Sequence, residues 1–400
     1  MYAERVLSGM RPTGSLHLGH YHGVLKNWVR LQQEYPCLFF VADWHALTTQ
    51  YDDPHGIVGA ARDMVIDWLA AGVDPRRATL FVQSKVPEHA ELHLLLSMMT
   101  PLGWLERVPT YKDQQERLEH KDLSTYGFLG YPLLQAADIL IYRAGKVPVG
   151  EDQVPHIEFS REIARRFNHL YGREPGFEEK VSEALRRLGA KRARRYGELR
   201  THYQERGEQA AIEAAQRLFD EVPDLSHADR ERLCGHLEGT GKMILVEPGA
   251  LLTAAARMPG LDGQKMSKSY GNTITLREDA ASVTNKLRRM PTDPARVRRS
   301  DPGEPDNCPV WQLHQVYSDE DCRAWVQQGC RSAGIGCLEC KQPVIDGILR
   351  EQEPMRERAQ PYLDDPRLVD EIIADGSGRA RHLARETMRE VRQAIGLDYA

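Results

Sequence analysis

Three short apolar runs alternate with helical patterns over the first hundred residues, and this alternation limits the possible folds more than any other feature of the chain. The runs lie at residues 5–10, 37–42 and 78–83. The second is apolar throughout, as is typical of a strand that a parallel sheet buries on both faces. The spacing predicts an α/β fold with a doubly wound, Rossmann-like parallel sheet. Ligands bind such sheets beyond the carboxyl ends of the strands, where His17 and His45 are expected.

The same pattern predicts two local details and a division into domains. Asp53 followed by Pro54 predicts the N-cap and first residue of a helix that ends near Gly72. Residues 242–246 are a candidate short strand. The predicted division is a Rossmann-like catalytic domain at 1–172, a largely helical insertion at 173–250, the second part of the catalytic domain at 251–292, and a helical C-terminal region at 293–400.

Composition excludes several classes of protein. The chain has 400 residues, 41% hydrophobic and 28% charged, as is ordinary for a globular protein of more than one domain. The formal charge is −5, so binding to nucleic acid would need local basic stretches. No apolar run reaches the ~18 residues of a membrane span, and the first strand leaves no room for a signal peptide. We therefore expect a cytoplasmic protein whose seven cysteines are thiols or metal ligands.

The first sign of chemistry is a pentapeptide that reads Lys265, Met266, Ser267, Lys268 and Ser269. Glycines flank it and leave the backbone free to close over a ligand. Two ammonium groups on such a loop suit a polyphosphate, although a solvated turn is the plain alternative. Neither a GxxxxGK[ST] phosphate loop nor a GxGxxG motif follows the predicted strands, which disfavours P-loop and dinucleotide-binding enzymes.

A second motif follows the first predicted strand and contains Thr13, His17, Gly19 and His20. Gly19 would let a flat adenine approach the backbone, while the imidazoles and the free N–H groups of the helix N-terminus would face phosphate oxygens. Two histidines at this spacing alone would more often mark a surface helix or half of a metal site. The lysine pentapeptide elsewhere in the chain favours a nucleotide site instead.

A third segment, at residues 131–140, is predicted to be a helix with polar groups on an otherwise apolar face. Tyr131, Gln135 and Asp138 share one side at spacings of four and three. A carboxylate among apolar neighbours is costly to bury without a donor, so Asp138 is a candidate ligand contact. A capped or solvent-facing carboxylate is the alternative. A short strand then opens into a polar turn at 150–153.

Four cysteines form a spaced set in the C-terminal region: Cys308, Cys330, Cys337 and Cys340, with Cys322 as a spare. A Cys-x2-Cys pair with two further cysteines in a cytoplasmic protein is typical of a metal site rather than of disulfides. Four thiolates can hold either zinc or iron.

A basic run at residues 186–195 lies within the predicted insertion and contains six lysines and arginines. Such a run is either the solvated face of a helix or a contact to an RNA backbone. The sequence leaves both interpretations open.

Together these segments resemble the class I aminoacyl-tRNA synthetases, and among them the bacterial tryptophanyl-tRNA synthetases. The matching segments are residues 8–20, 42–45, 131–140, 147–153, 265–269 and much of the C-terminal third. The resemblance implies a ligase that activates L-tryptophan with ATP and transfers it to tRNA(Trp). A tyrosyl-type synthetase of the same fold, and a tRNA-binding or regulatory paralogue without catalysis, are the alternatives.

The resemblance also implies an ATP site. Catalysis would depend on His17, His20, Lys265 and Lys268, which would face the α-phosphate, the ribose and the pyrophosphate. The other residues implied at ATP are Met10, Arg11, Thr13, Gly19, Lys112, Gly150, Asp152, Met266, Ser267 and Ser269. Mg²⁺ would accompany ATP, held mainly by the phosphates.

For tryptophan, the resemblance implies that Asp138 accepts a hydrogen bond from the indole N–H, a group that can only donate. Phenylalanine would leave that acceptor unpaired, and sites of this kind discriminate by about 10⁴–10⁵. The other residues implied at tryptophan are Leu7, His45, Tyr131, Gln135, Val149 and Gln153.

Two further features are implied by the resemblance. The four spaced cysteines would hold a [4Fe–4S] cluster, with zinc as the alternative, in a C-terminal region that binds tRNA near its anticodon. The protein would be a homodimer, and residues 173–250 would be an insertion absent from compact members of the family.

Overall fold

The computed structural model describes residues 4–108, 125–172, 176–239, 241–252 and 258–399. Among these residues, the strands β1 to β5 form one sheet in the order β3-β2-β1-β4-β5. Their bounds are Val6–Met10, Cys37–Val41, Ala78–Val82, Lys146–Val149 and Gly249–Leu252. The pairs β1–β4 and β2–β3 are parallel, with Val6 opposite Lys146 and Cys37 opposite Ala78. The predicted α/β fold with a parallel sheet is confirmed, and the strand order reverses at β1 as in Rossmann-like sheets.

The chain divides into two compact units, and the first comprises Met1–Ser8, Gln83–Leu251 and Gly378–Ala400. Its helix Tyr131–Leu140 has the predicted bounds. Among the described residues of this unit, the other helices are Glu88–Ser97, Leu102–Leu105, Tyr126–Leu129, Val154–Tyr171, Phe177–Leu188, Ala190–Arg206, Gln209–Asp220, His227–Glu238 and the C-terminal part of Arg367–Ile395, with 3-10 turns at Gln83–Lys85 and Glu151–Gln153.

Four helices between residues 177 and 238 pack around an apolar core of their own, which includes Tyr196, Phe219 and Leu233. Gly189 separates the first two of these helices and therefore divides the basic run between them. Most of the arginines in the run face carboxylates: Arg187 pairs with Asp229, Arg192 with Glu221, and Arg194 and Arg195 with Glu198. This pairing favours the solvated-face interpretation over a contact to RNA.

The second unit comprises Gly9–Val82 and Leu252–Ser377. In its core, Trp28 stacks on Phe39 with ring centroids 4.1 Å apart and meets Trp68 edge-on at 5.1 Å. Its helices are Leu18–His20, Lys26–Glu34, Asp43–Gln50, Ile57–Ala71, Ala280–Arg289, Pro309–Tyr317, Glu320–Arg331, Cys337–Asp364 and the first part of Arg367–Ile395, with a π-helical turn at Tyr21–Leu25 and 3-10 turns at Lys268–Tyr270 and Pro305–Asn307. The predicted helical character of the C-terminal third is confirmed.

Two local predictions were wrong. The helix expected to begin at Pro54, with Asp53 as its N-cap, begins at Ile57 with Gly56 as its N-cap, because the Ile57 N–H donates to the Pro54 carbonyl and closes a turn first. Residues 242–246 are not a strand, and the reason is the side chain of Asn168. Its amide oxygen accepts from the N–H groups of Ile244 and Leu245 at 2.9 and 3.0 Å, in place of a neighbouring strand.

None of the helices in the part of the chain that the structure describes is long and apolar enough to cross a membrane.

Candidate functional site

The first motif lies directly after β1, in the second unit. Met10 ends the strand, Arg11 and Thr13 are exposed in the turn that follows, and His17 is the N-cap of the helix Leu18–His20. The His17 backbone N–H donates to Nδ1 of His20 at 3.2 Å, and the two imidazole rings lie 3.8 Å apart. The two predicted catalytic histidines are therefore neighbours at one helix N-terminus.

Both histidines are neutral near pH 7. Burial and the nearby Lys268 lower the pKa of His17 to about 4. Burial, His17, Lys268 and Lys265 lower the pKa of His20 to about 3. The Nδ1 atom of His17 is buried and has no hydrogen-bond partner among the described residues. An imidazole in this state can give a ligand one hydrogen bond without adding a charge.

Gly19 lies directly beside the imidazole of His17. A Cβ atom at this position would lie 2.9 Å from the imidazole of His17 and 3.5 Å from the Cβ of Met266. A side chain here would force the His17 imidazole to shift, so glycine leaves that histidine in place.

The second motif is held by a buried asparagine that the sequence analysis missed. Asn272 accepts from the Ser267 N–H at 2.8 Å and donates to Asp262 at 2.6 Å and to the Lys265 carbonyl at 3.2 Å. Met266 is buried, whereas Lys265, Lys268 and Ser269 are exposed. The signal in the sequence is the pair Gly271-Asn272 directly after the pentapeptide, which is typical of a turn, and in the structure Gly271 ends the 3-10 turn with a φ of +64°.

The two motifs meet within this unit. The Nζ atom of Lys268 donates to the carbonyl oxygens of Thr13 and Gly14 at 3.1 and 2.9 Å. His17 and Thr275 form an antiparallel bridge, and the Leu18 N–H donates to the Ile274 carbonyl at 3.0 Å. Lysines and histidines that are far apart in sequence thus surround one short turn, as a site for a nucleotide polyphosphate requires.

The polar helix face of the first unit is built around Asp138, which is almost fully buried. Its Oδ1 accepts from Nε2 of Gln83 at 2.8 Å and lies 2.6 Å from Nδ1 of His89. The other ring nitrogen of His89 lies 2.6 Å from the hydroxyl of Tyr142. The buried partners therefore hold the carboxylate in one orientation, and their hydrogen bonds offset the cost of burying it.

Gln135 and Tyr131 lie on the same helix as Asp138. The Oε1 atom of Gln135 is buried without a hydrogen-bond partner in the described part of the chain. A buried acceptor without a donor is costly, so this atom is a candidate to receive a ligand's N–H group.

The end of β4 and the turn after it contain four further predicted residues of the first unit: Val149, Gly150, Asp152 and Gln153. Val149 ends the strand, and Glu151–Gln153 forms a 3-10 turn in which Nε2 of Gln153 donates to Asp152 at 3.3 Å. A Cβ atom on Gly150 would lie 2.7 Å from Oδ1 of Asp152, so a side chain at this position would shift that carboxylate.

Three predicted residues stand apart from these groups. Leu7 is buried within β1. His45 is buried in the first turn of the helix Asp43–Gln50, after β2 in the second unit. Lys112 lies outside the described residues.

The C-terminal cysteines are free thiols, and Cys308, Cys330 and Cys337 lie near enough to Cys340 to act on it through their charges. Burial, and then the charges of Cys308, Cys330 and Cys337, raise the pKa of Cys340 to about 12. Cys308, Cys322 and Cys340 pack against Trp311, Val326 and Ile335. In the described ranges, however, no group of three or more histidine, cysteine or acidic side chains is arranged as a metal site. The metal centre therefore stays a prediction.

Two cationic or basic groups border these thiols. Nη1 of Arg296 lies 3.9 Å from Sγ of Cys330, and Nε2 of His314 lies 3.4 Å from Sγ of Cys340. Arg296 is itself nearly buried, and its guanidinium also donates to the Ile335 carbonyl. Burial lowers the pKa of His314 to about 4, so Arg296 is the cation of the pair, and a buried cationic donor beside grouped thiols suits a site whose sulfurs become thiolates.

Comparison with known proteins gives one consistent family. A family model described as class I tRNA synthetases (W and Y) matches residues 3–186 and 229–348. A tryptophan–tRNA ligase from Ralstonia nicotianae is 74% identical over 400 residues, which are 100% of both chains. One from Thermotoga maritima is 46% identical over 396 residues, which are 98% of this chain and 99% of that protein.

Solved structures agree with the sequence comparison. The crystal structure of tryptophanyl-tRNA synthetase from Campylobacter jejuni, complexed with ADP and tryptophan, superposes with a TM-score of 0.73 at 27% identity. The match covers 98% of this chain and 100% of that one. Residues 187–228, within the four-helix group, fall outside both segments that the family model matches.

Proposed function

The chain belongs to the class I tRNA synthetases of the tryptophan and tyrosine family, and we infer that it is a tryptophan–tRNA ligase. It uses ATP to convert L-tryptophan to tryptophanyl-adenylate and then transfers the acyl group to tRNA(Trp). The observation that carries this conclusion is the contact of Lys268 with the turn before His17, which joins the two signature segments of a nucleotide site. Full-length identity of 74% with a tryptophan–tRNA ligase supports the choice of amino acid.

In the first step, a carboxylate oxygen of tryptophan attacks the α-phosphorus of ATP, and the bond to the bridging oxygen breaks to release pyrophosphate. No enzyme nucleophile is needed, so the protein acts by positioning the reactants and stabilising charge. Lys265 and Lys268 would bind the pyrophosphate side, with Ser267 and Ser269 beside them. Mg²⁺ would enter with ATP, held mainly by the phosphates.

The two histidines would bind ATP as neutral groups. Because their pKa values are lowered to about 4 and about 3, neither would carry a proton to the phosphates as a cation. The unpartnered Nδ1 of His17 supports a direct hydrogen bond to the ligand. Charge on the leaving pyrophosphate would then be met by the lysines alone among these four residues.

Selection of tryptophan would depend on the polar face of the helix Tyr131–Leu140. Asp138 is buried and fixed by Gln83 and His89, which supports its role as the acceptor for the indole N–H. The orphaned oxygen of Gln135 and the neighbouring Tyr131 suit the ammonium group. Leu7, His45, Val149 and Gln153 would complete the amino-acid site, and Gly150 and Asp152 would border the ATP.

In the second step, a hydroxyl of the terminal adenosine of tRNA attacks the acyl carbon and AMP leaves. We propose residues 293–400 as the region that contacts the tRNA near its anticodon. Arg298, Arg299 and Arg331 belong to this region, and of these Arg331 is paired with Glu304 at 2.8 Å. Residues 1–172 and 251–292 would form the catalytic domain, with 173–250 as an insertion.

The grouped thiols of Cys308, Cys330, Cys337 and Cys340 support a [4Fe–4S] cluster in the C-terminal region, with a single zinc ion as the alternative. Burial, and then the charges of the neighbouring thiols, raise the pKa of Cys340, and a bound cation would offset that cost of ionisation. Such a centre would hold the N-termini of the helices Pro309–Tyr317 and Cys337–Asp364 together. No step of the reaction passes through it.

Amino-acid-dependent exchange between pyrophosphate and ATP tests the function. We expect exchange with tryptophan and little with tyrosine or phenylalanine, followed by charging of tRNA(Trp). Exchange that prefers tyrosine would identify a tyrosyl-type enzyme. Binding of tRNA without exchange would identify a regulatory paralogue.

Two further expectations accompany this function. We propose that the chain acts as a homodimer in the cytoplasm. Light scattering on the purified protein tests the dimeric state, and fractionation of cells tests the location in the cytoplasm.

A further inference from the structure

Asp67 is a buried carboxylate that no part of the proposed chemistry uses. It lies on the helix Ile57–Ala71 and is 1% exposed. One of its oxygens accepts from the Leu16 N–H at 2.8 Å, and the other accepts from Nε of Arg277 at 2.6 Å. Burying a carboxylate costs desolvation free energy unless such donors satisfy it, so its presence at this position calls for a reason.

A second carboxylate repeats the arrangement one helical turn earlier. Asp63 pairs with Nη2 of the same Arg277 and accepts from the hydroxyl of Ser15 at 3.0 Å. Asp63 and Asp67 therefore bind both the guanidinium of Arg277 and the turn at residues 15–16. Spacing of four along a helix places both carboxylates on one face.

The two segments that these carboxylates bind, residues 15–16 and the segment that contains Arg277, both adjoin the proposed nucleotide site. Residues 15–16 immediately precede His17. Arg277 follows Thr275, which bridges to His17, and Leu276, whose N–H donates to the Leu16 carbonyl at 3.0 Å. The lysine pentapeptide lies just before this segment in sequence. Asp67 thus fixes the alignment of the histidine turn against the strand-like segment that follows the lysines.

The same carboxylates act on Lys268 through their charge. Although much of the Lys268 side chain is exposed, partial burial of its ammonium group against the Thr13 and Gly14 carbonyls lowers its pKa, and the charges of Asp67 and Asp63 oppose that shift. Their negative potential favours the ammonium form of Lys268, the form that would bind a phosphate.

We propose that Asp67, supported by Asp63 and Arg277, is a positioning residue for the ATP step. It keeps the turn at 14–16 and the segment at 274–277 in one alignment, so that His17 and Lys268 can both contact the same nucleotide. This inference rests on the proposed function, because its readout is the activation of tryptophan by ATP.

The test compares Asp67→Asn with Asp53→Asn, a matched change at an exposed position. Asparagine keeps the shape and one acceptor but removes the charge and places an amide opposite Arg277. We expect kcat/KM for ATP in the exchange reaction to fall by about 10²-fold, as small misplacements of reacting groups can cause. The KM for tryptophan and the activity of Asp53→Asn should stay as in the wild type.

Arg277→Lys and Arg277→Gln provide a second comparison that does not depend on the folding of Asp67→Asn. Lysine keeps the charge but loses the fork that binds two carboxylates, so it should retain more of kcat/KM for ATP than glutamine does. Melting temperatures measured alongside identify variants that are folded at the assay temperature.

Two results would overturn the inference: a folded Asp67→Asn enzyme with wild-type kcat/KM for ATP, or equal losses toward ATP and tryptophan. A wild-type protein without tryptophan-dependent exchange would instead refute the proposed function itself. The two failures are therefore distinguishable.

Discussion

The Nζ atom of Lys268 lies 2.9 Å from the carbonyl oxygen of Gly14, although 254 positions separate the two residues. Gly14 has a φ of +101°, a conformation that side chains other than glycine rarely adopt, and so this acceptor depends on glycine. Backbone carbonyls hold the lysine where ATP is expected to bind. A phosphate group that replaced them would give the ammonium a charged acceptor instead of a neutral one, which strengthens the hydrogen bond.

Lys268→Ala should lower the rate of adenylate formation much more than it weakens the binding of ATP, because the lysine's contacts strengthen as charge moves onto pyrophosphate. A single donor of this kind is worth about 2.7–4 kcal/mol in the transition state. Single-turnover kinetics and equilibrium binding of ATP provide the two numbers. Lys191→Ala, an exposed lysine of the four-helix group, is the control. Equal losses in rate and affinity would indicate uniform binding instead.

Asp138→Asn should lose selectivity for tryptophan, because an amide is a weaker acceptor for the indole N–H and can turn its donor toward it. Exchange assays with tryptophan, tyrosine and phenylalanine measure the preference, which sites of this type set at about 10⁴–10⁵. Asp224→Asn, at an exposed position, should leave it unchanged. If Asp138→Asn retained the full preference, another residue would read the indole.

The buried histidines should make the protein sensitive to acid. Their pKa values in the folded protein, about 4 for His17 and about 3 for His20, lie below the ordinary value of 6.5. The unfolded chain therefore takes up protons first as the pH falls, and stability present above pH 6.5 is lost progressively toward pH 4.

Urea denaturation at neutral and acid pH measures this loss. The free energy of unfolding should fall less on acidification in His20→Asn than in the wild type, because one of the groups responsible has been removed. His169→Asn, which alters an exposed histidine, should behave as the wild type does. A pH dependence that is identical in all three proteins would show that other groups govern acid sensitivity.

Protein prepared without oxygen should contain iron and sulfide and absorb visible light. Cys337→Ser should lose the metal and most tRNA charging yet retain tryptophan-dependent exchange. The reason is that the predicted centre belongs to the proposed tRNA-binding region and takes no part in adenylate formation. Cys322→Ser should keep the metal if Cys308 is the fourth ligand. A colourless protein with one zinc would establish the alternative metal, and normal charging by Cys337→Ser would exclude a role in recognition of tRNA.

The sequence by itself determined the elements whose signals are local. Short apolar runs predicted β1, β2 and β3, because a parallel sheet buries its strands on both faces, and spacings of three and four predicted the helix Tyr131–Leu140. The two motifs predicted a nucleotide site because lysine ammonium groups, imidazoles and the free N–H groups of a helix N-terminus can all bind phosphate oxygens. Local prediction failed where a distant side chain competed for backbone hydrogen bonds, as Asn168 does at residues 244–245.

Only the tertiary structure decided which polar groups face one another. Contacts between residues more than fifty positions apart leave no periodic signal, so the sequence did not reveal that Asp67 binds both Leu16 and Arg277. Nor could it show that His89 and Gln83 satisfy Asp138. The pKa values of His17 and His20 likewise depend on burial and on charges that only the folded chain brings near. Pattern determines which segments become buried, whereas the neighbours that a buried polar group meets depend on how the segments pack.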